Sequence, residues 1–391
     1  MFAFNSNEGY FLHLIKCALK DEQPEEKPNE VEWQKVFEIA QRQTAANLCW
    51  FSIEKLNNKP DGELFDAWQE VYAKAASKCL KQMMEIDFLS EEFTKRGYDI
   101  CFLKGSKIRE YYPSPDMRTM TDIDLLVRAQ DRKPIRELMK SIGYEVDLLD
   151  DGQVDAFKKE PVIYLEIHFD FSAENHAYHE LFTIDWNNLV ETNRPHIYEM
   201  TFEDLYFFNT GHYVKNMSKV GMGIRSVVDS YILWKSADKK QIENIVAKFR
   251  DAKIENFNNN LLKIANIWFE GNEDDGSLDN VQNYLVETST YGKTGENEAI
   301  MMIENNQNEK SNNSYILRRI FPKSDELLKR FNLNRKYAFL IPFLWFARIL
   351  LLVFSGKEKK NKVKKEYSAI KDMSSEEVEY ETIVRKEIGL L

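Results

Sequence analysis

A chain of 391 residues with 43% apolar and 30% charged side chains can bury two or three cores, which excludes a disordered chain. Its formal net charge of −11 opposes a broadly basic surface for nucleic acid. Its 4 cysteines (Cys17, Cys49, Cys79 and Cys101) lie apart inside apolar stretches, which excludes a disulfide scaffold and predicts reduced core thiols.

Met1 to Glu8 lacks both the basic and the uninterrupted apolar segment of a secretion signal, so a cytoplasmic location is expected. Residues 1–96 read as a helical region, with apolar residues such as Phe11, Leu12, Ile15 and Leu19 at helical spacing. The pattern from Asp61 to Arg96 predicts one long helix, stopped by Gly97 after Lys95 and Arg96. The period then changes. Residues 97–178 read as an α/β core: strands over Tyr98–Leu103, Asp122–Val127, Tyr144–Leu148 and Val162–Phe169. A short helix over Ser106–Tyr112 is expected to end before Pro113, with Arg109 on its solvent face. Asp131 is expected to cap a helix running to Ser141. Residues 179–300 return to helical patterns, begun by Thr201 and Asp204 as a capping pair.

Residues 301–391 read as a linker and a C-terminal helical segment, with Glu304–Asn313 polar throughout. Tyr337–Phe354 is apolar but carries Pro342 and Arg348, which disfavours a spanning helix. It reads as a helix buried against the helical domain. The other reading is peripheral membrane contact through 337–365, where lysines such as Lys357 and Lys360 meet anionic lipid.

Asp122 and Asp124 flank Ile123 at the start of an apolar strand, and alternation points both carboxylates to one face. Like charges so placed call for a cation, and a divalent metal shared with substrate phosphates is the usual solution. A third carboxylate is expected from a neighbouring strand. Glu166 fits, because Ile163, Leu165, Ile167 and Phe169 take the core face and leave Glu166 and His168 on the polar one. His168 there positions an acceptor, ligates metal or assists a proton; a lone strand histidine also serves as a structural hydrogen-bonding residue. Lys104 and Arg118 are cations at the expected phosphate site. The Gly105 turn brings backbone N–H groups near phosphate, and Ser106 either donates its hydroxyl there or caps the short helix. The Asp-x-Asp pair also occurs in glycosyltransferases and dehalogenase-type phosphatases, but Leu125, Leu126 and Val127 continue the strand after it, which disfavours both.

The ordered set Phe102-Leu103-Lys104-Gly105-Ser106, Tyr111-Tyr112-Pro113, Arg118, Asp122-Ile123-Asp124-Leu125-Leu126-Val127, Gly143-Tyr144 and Leu165-Glu166-Ile167-His168 resembles the uncharacterised bacterial nucleotidyltransferase family of the DNA polymerase β-like superfamily. The resemblance extends through Glu203-Asp204, His212 and Arg225 to Asp229. It implies an α+β fold, a small mixed-sheet core flanked by N-terminal and C-terminal helical regions. The helical domain would form one side of the cleft, with His212, Arg225 and Asp229 as candidate lining. It also implies catalytic, metal-binding carboxylates at Asp122, Asp124 and Glu166, and a nucleotide-binding set of Lys104, Gly105, Ser106, Arg118 and His168. Mg²⁺ or Mn²⁺ would be the cofactor, an NTP the substrate, and a small-molecule or protein hydroxyl the acceptor. Lys104 stands where the superfamily turn has an apolar residue. A catalytically silent nucleotide-binding or partner-binding module is the alternative, though a pure binder gains nothing from clustered negative charge.

Overall fold

The computed structural model describes residues 2–149, 154–161, 163–169, 183–290, 340–345 and 375–391. Two compact units divide the chain: Met1–Met217 with Met222–Tyr291 and Glu387–Leu390, and Ser218–Gly221 with Gly292–Lys386 and Leu391. All functional residues discussed below belong to the first. The polar stretch Glu304–Asn313 and nearly all of 337–365 lie outside the described residues. Among those described, no helix is long and apolar enough to cross a membrane.

Four helices open the chain: α1 (Asn7–Lys20), α2 (Trp33–Arg42), α3 (Ala46–Ile53) and α4 (Gly62–Arg96). Helix α4 runs the predicted length and ends at Gly97, whose φ of +70° closes its last turn. Gln82, Leu89 and Phe93 fall on one buried face, and Leu89 and Phe93 join the sheet core.

Strand β1 (Ile100–Phe102), helix α5 (Gly105–Ile108), strand β2 (Ile123–Val127), helix α6 (Arg132–Ser141) and strands β3 (Glu145–Leu149), β4 (Val154–Lys159), β5 (Ile163–His168), β6 (Val190–Glu191) and β7 (Ile197–Glu199) follow. They form a 7-stranded mixed sheet in the order β3-β4-β5-β2-β1-β7-β6. The central pair β2 and β5 is parallel, while β1 and β4 flank it antiparallel. Ile100, Phe102, Ile123, Leu125, Val127, Leu165 and Ile167 alternate onto one face, where Leu89 and Phe93 of α4 and Ile135, Leu138 and Met139 of α6 bury them. The opposite face holds a smaller apolar cluster of Cys101, Leu103 and Leu126, and leaves room for polar side chains.

The predicted strand over Tyr144–Leu148 is shifted to Glu145–Leu149, and β4 escaped the pattern altogether. The reason is Asp155, an acid pointing inward from β4. Its carboxylate is fully buried and takes Arg136 Nε at 2.7 Å and Arg132 Nη2 at 3.0 Å from α6. Asp131 precedes α6 but makes no side-chain capping bond, contrary to expectation. The expected helix over Ser106–Tyr112 divides into α5 and a tighter turn over Arg109–Tyr111. All 4 cysteines are free and buried, as predicted.

Helices α7 (Phe202–Lys219), α8 (Arg225–Ser236), α9 (Lys239–Asp251), α10 (Glu255–Ala265) and α11 (Asp279–Glu287) complete the first unit. Thr201 opens α7 as predicted: Asp204 N donates to its Oγ1, and the hydroxyl donates on to Asp204 Oδ2. The N-terminal helices are fastened to this region by buried Gln43. Its amide donates to the carbonyls of Leu285, Val286 and Thr288, and its Oε1 accepts from Ile224 N. Gly223 is obligatory here, because a Cβ would lie 2.4 Å from that Oε1. Asn47 performs the same service for the core, donating to the carbonyls of Asp116 and Met117.

Gln43→Ala leaves Ile224 N without its acceptor and removes a donor from the Leu285, Val286 and Thr288 carbonyls, of which the last two keep Arg42. The expected cost is about 2–3 kcal/mol, read as a lowered urea midpoint; an unchanged midpoint would show that water replaces the amide at no cost.

Candidate active site

The parallel register of β2 and β5 sets Asp124 opposite Glu166 and Leu126 opposite His168. Odd and even positions of a strand face opposite ways, so Asp124, Glu166 and His168 share the face that α4 and α6 leave uncovered. Their ligand atoms all lie within 4.8 Å of one another. His168 Nε2 is 2.9 Å from Asp124 Oδ1 and 3.7 Å from Glu166 Oε2. Lys104 Nζ donates to the same Asp124 Oδ1 at 2.5 Å. Asp122 sits one residue ahead of β2, partly buried, and its charge acts on Glu166.

The electrostatics separate these carboxyls. Burial alone would raise Asp124, but the Lys104 ammonium and the His168 bond hold it far below the usual carboxylate range. Asp122 is raised by burial and then by the Asp124 charge. Glu166 is likewise raised, by burial first and then by Asp124 and Asp122. The site therefore carries more negative charge than Lys104 neutralises. Helix α7 places His212 against it: burial, then the Lys104 charge, drives that imidazole well below its ordinary value and keeps it neutral. From α4, Lys78 Nζ donates to the Thr121 carbonyl and lies in the field of Asp122, which no pattern in α4 disclosed.

The turn after β1 is tied to β2, since Leu103 N donates to the Asp124 carbonyl at 3.0 Å. Lys104 then adopts φ +48° and ψ −123°, a conformation that favours glycine. Gly105 follows because nothing larger fits: a Cβ would lie 2.6 Å from Arg118 Nη1 and 2.9 Å from Met120 Sδ. Ser106 is buried, and its Oγ has no hydrogen-bond partner among the described residues. A buried hydroxyl without a partner is rare and marks a place where an absent polar group belongs.

Arg118 does not point out toward solvent. Its guanidinium lies flat on buried Asp229 of α8, with Nε to Oδ1 and Nη2 to Oδ2 both at 2.8 Å. Tyr112 and Tyr213 hydroxyls complete that carboxylate at 2.5 Å each, and Asn209 supports Tyr213. Burial opposes the charge on Asp229, yet Arg118 and both hydroxyls hold its carboxyl below the usual range. Asp229 thus braces the turn at Gly105, and Arg225 beside it reaches Thr44 and Thr119. Arg109 corrects an expectation: it is only 2% exposed, with Nη2 donating to Gln82 Oε1, rather than solvent-facing. The turn after Ile108 rotates it under α4.

A family model described as uncharacterised nucleotidyltransferase matches residues 29–270. No curated protein matches the chain. Among solved structures it is similar to the antibiotic-resistance factor ANT(2'')-Ia, at 16% identity and a TM-score of 0.34 over 44% of this chain and 93% of that one. It is also similar to the lincosamide antibiotic adenylyltransferase LnuA in its lincomycin-bound form, at 18% identity and a TM-score of 0.29 over 39% of this chain and 97% of that one.

Asp229→Asn keeps the shape but removes the charge that Arg118 requires, at an expected cost of about 3–5 kcal/mol, read by thermal melting. The pH dependence has a defined sign. Because the folded carboxyl is depressed, its contribution is complete above the unfolded value of about 3.9 and is lost as pH falls through the lower folded value. Acid titration of the wild type should show this loss, and the Asn variant should lack it.

Proposed function

The chain belongs to the uncharacterised nucleotidyltransferase family, and we propose that it transfers a nucleoside monophosphate from an NTP to a hydroxyl on a small molecule or protein. The observation that supports this most is the cluster of Asp124, Glu166 and His168, whose ligand atoms all lie within 4.8 Å of one another on two adjacent strands.

The donor chemistry fits a divalent ion. The hard carboxylate oxygens of Asp124 and Glu166 suit Mg²⁺ or Mn²⁺, and Asp122, in the field of Asp124, adds a further carboxylate. When bound, such an ion neutralises the charge that builds on a triphosphate and stabilises both attacking and leaving oxygens of an in-line displacement. The remaining work falls to the protein. Ser106 Oγ donates to a phosphate oxygen, and the glycine at 105 lets backbone approach closely. Lys104 carries the positive charge nearest that turn. Glu166, raised above its ordinary value, is the group suited to take the proton from the acceptor hydroxyl at Oε2. His168 fixes the Asp124 carboxylate through its 2.9 Å contact. The net charge of −11 favours a small-molecule or protein acceptor over nucleic acid.

Incubation with each α-labelled NTP, Mg²⁺ and a cell extract should move label to an acceptor with release of pyrophosphate, and EDTA should stop it. Asp122→Asn should lower turnover by about a thousandfold or more while leaving the melting temperature unchanged or raised, because it relieves repulsion with Asp124. NTP binding without any pyrophosphate release would support a silent module instead. A folding defect in Asp122→Asn would make that aspartate structural.

A further inference from the structure

A divalent ion approaching Asp124 meets a carboxylate with one of its two oxygens already taken. Lys104 Nζ, at 2.5 Å, and His168 Nε2, at 2.9 Å, both converge on Oδ1. The Asp124 side chain is only 7% exposed and that of Lys104 20%, so the ammonium stands largely inside the carboxylate pocket. The charges of Glu166 and Asp122 also act on this ammonium. It is therefore the counter-ion of the whole group.

The backbone shows that this placement is imposed. Lys104 occupies φ +48° and ψ −123°, which costs a residue with a Cβ and is held on both sides. Leu103 N is bonded to the Asp124 carbonyl, and Gly105 is pressed against Arg118 and Met120. The Cα of Lys104 is consequently fixed, while its flexible stem leaves the ammonium free to turn. Two residues on, in the helix that follows, Ser106 Oγ is buried and has no hydrogen-bond partner among the described residues.

Resting on the nucleotidyltransferase reading, we propose that Lys104 is a resident cation that occupies the metal position at Asp124 until a triphosphate draws its ammonium away. Free metal then competes with a tethered ammonium and binds weakly. A triphosphate arriving at the turn offers Lys104 a new anion and removes the ammonium from Oδ1, which leaves the Asp124 carboxylate, still held by His168, open to the metal in the same event. Lys104 thus acts as a positioning residue that couples metal binding to nucleotide binding.

The test is a Mn²⁺ titration of the full chain, with free Mn²⁺ read by electron paramagnetic resonance, with and without a non-hydrolysable NTP analogue. In the wild type the analogue should tighten Mn²⁺ binding strongly, beyond the chelation that the analogue alone shows in a protein-free control. Lys104→Met, which keeps the stem and removes the charge, should bind Mn²⁺ without nucleotide about tenfold tighter or more, and the added effect of the analogue should shrink. Lys104→Arg, which keeps the cation, should bind Mn²⁺ alone as weakly as the wild type, a result that loss of packing would not produce. Equal Mn²⁺ binding by wild type and Lys104→Met, both tightened by the analogue, would overturn the proposal and leave the nucleotidyltransferase reading standing. Failure of the folded wild type to bind Mn²⁺ even with the analogue would overturn both. If Lys104→Met does not fold, Lys104→Gln, which also removes the charge, takes its place in the same comparison, and equal Mn²⁺ binding by it and the wild type without nucleotide overturns the proposal.

Discussion

The fully buried bidentate pair between Arg118 and Asp229 is the constraint on which the site depends. Taking a guanidinium and a carboxylate out of water is costly, and the cost is recovered only when every lone pair and proton finds a partner. Here the Tyr112 and Tyr213 hydroxyls fill the remaining acceptor positions, and Asn209 holds Tyr213. The network draws on a loop of the sheet region and on helices α7 and α8, elements far apart in sequence. Because the guanidinium also packs against Gly105, the turn that carries Lys104 and Ser106 is set by a bond made to the helical region. Gln43 and Asn47 extend the same logic to the N-terminal helices, which hold backbone carbonyls at the end of α11 and in that loop.

Against this frame the sheet supplies alternation. One face of β2 and β5 is given wholly to the core beneath α4 and α6, so the facing residues Asp124, Glu166 and His168 have nowhere else to go. A one-residue slip of β5 would bury Glu166 among Leu89 and Phe93 and expose Leu165 and Ile167, an exchange of charge for hydrocarbon that no packing would offset. Register is thereby enforced by the apolar set, and the polar cluster is its consequence.

How far the sequence disclosed this differs from residue to residue. The alternation of Ile163, Leu165, Ile167 and Phe169 is strict, so the facing of Glu166 and His168 was legible, as was the length of α4 with its Gly97 stop. Strand β4 was not, because Asp155 faces inward, and a buried acid reads as a surface one until Arg132 and Arg136 are seen against it. Arg109 is buried where solvent was expected, and Arg118 has a partner that the sequence did not announce. A cation in a loop suggests solvent or phosphate, and neither Gln82 nor Asp229 is near enough in sequence to announce itself as a partner. Long-range polar pairing leaves no periodic trace, so the bracing residues Tyr213 and Asn209 carried no signal, and Tyr112 entered only through the family resemblance.

Lys104 shows how these levels meet in one residue. Its left-handed backbone would be relieved by glycine, and yet a lysine stands there. A position that tolerates strain needs a compensating interaction, and the ion pair to Asp124 is the one visible. That pair in turn offsets the repulsion among Asp122, Asp124 and Glu166, which adds to burial in raising the first and last of these carboxyls even with the ammonium present. Strain in the turn and charge in the strands therefore stabilise each other. A ligand that brings its own cations and anions to this face can replace both partners at once, whereas a ligand that brings only one must first break the pair.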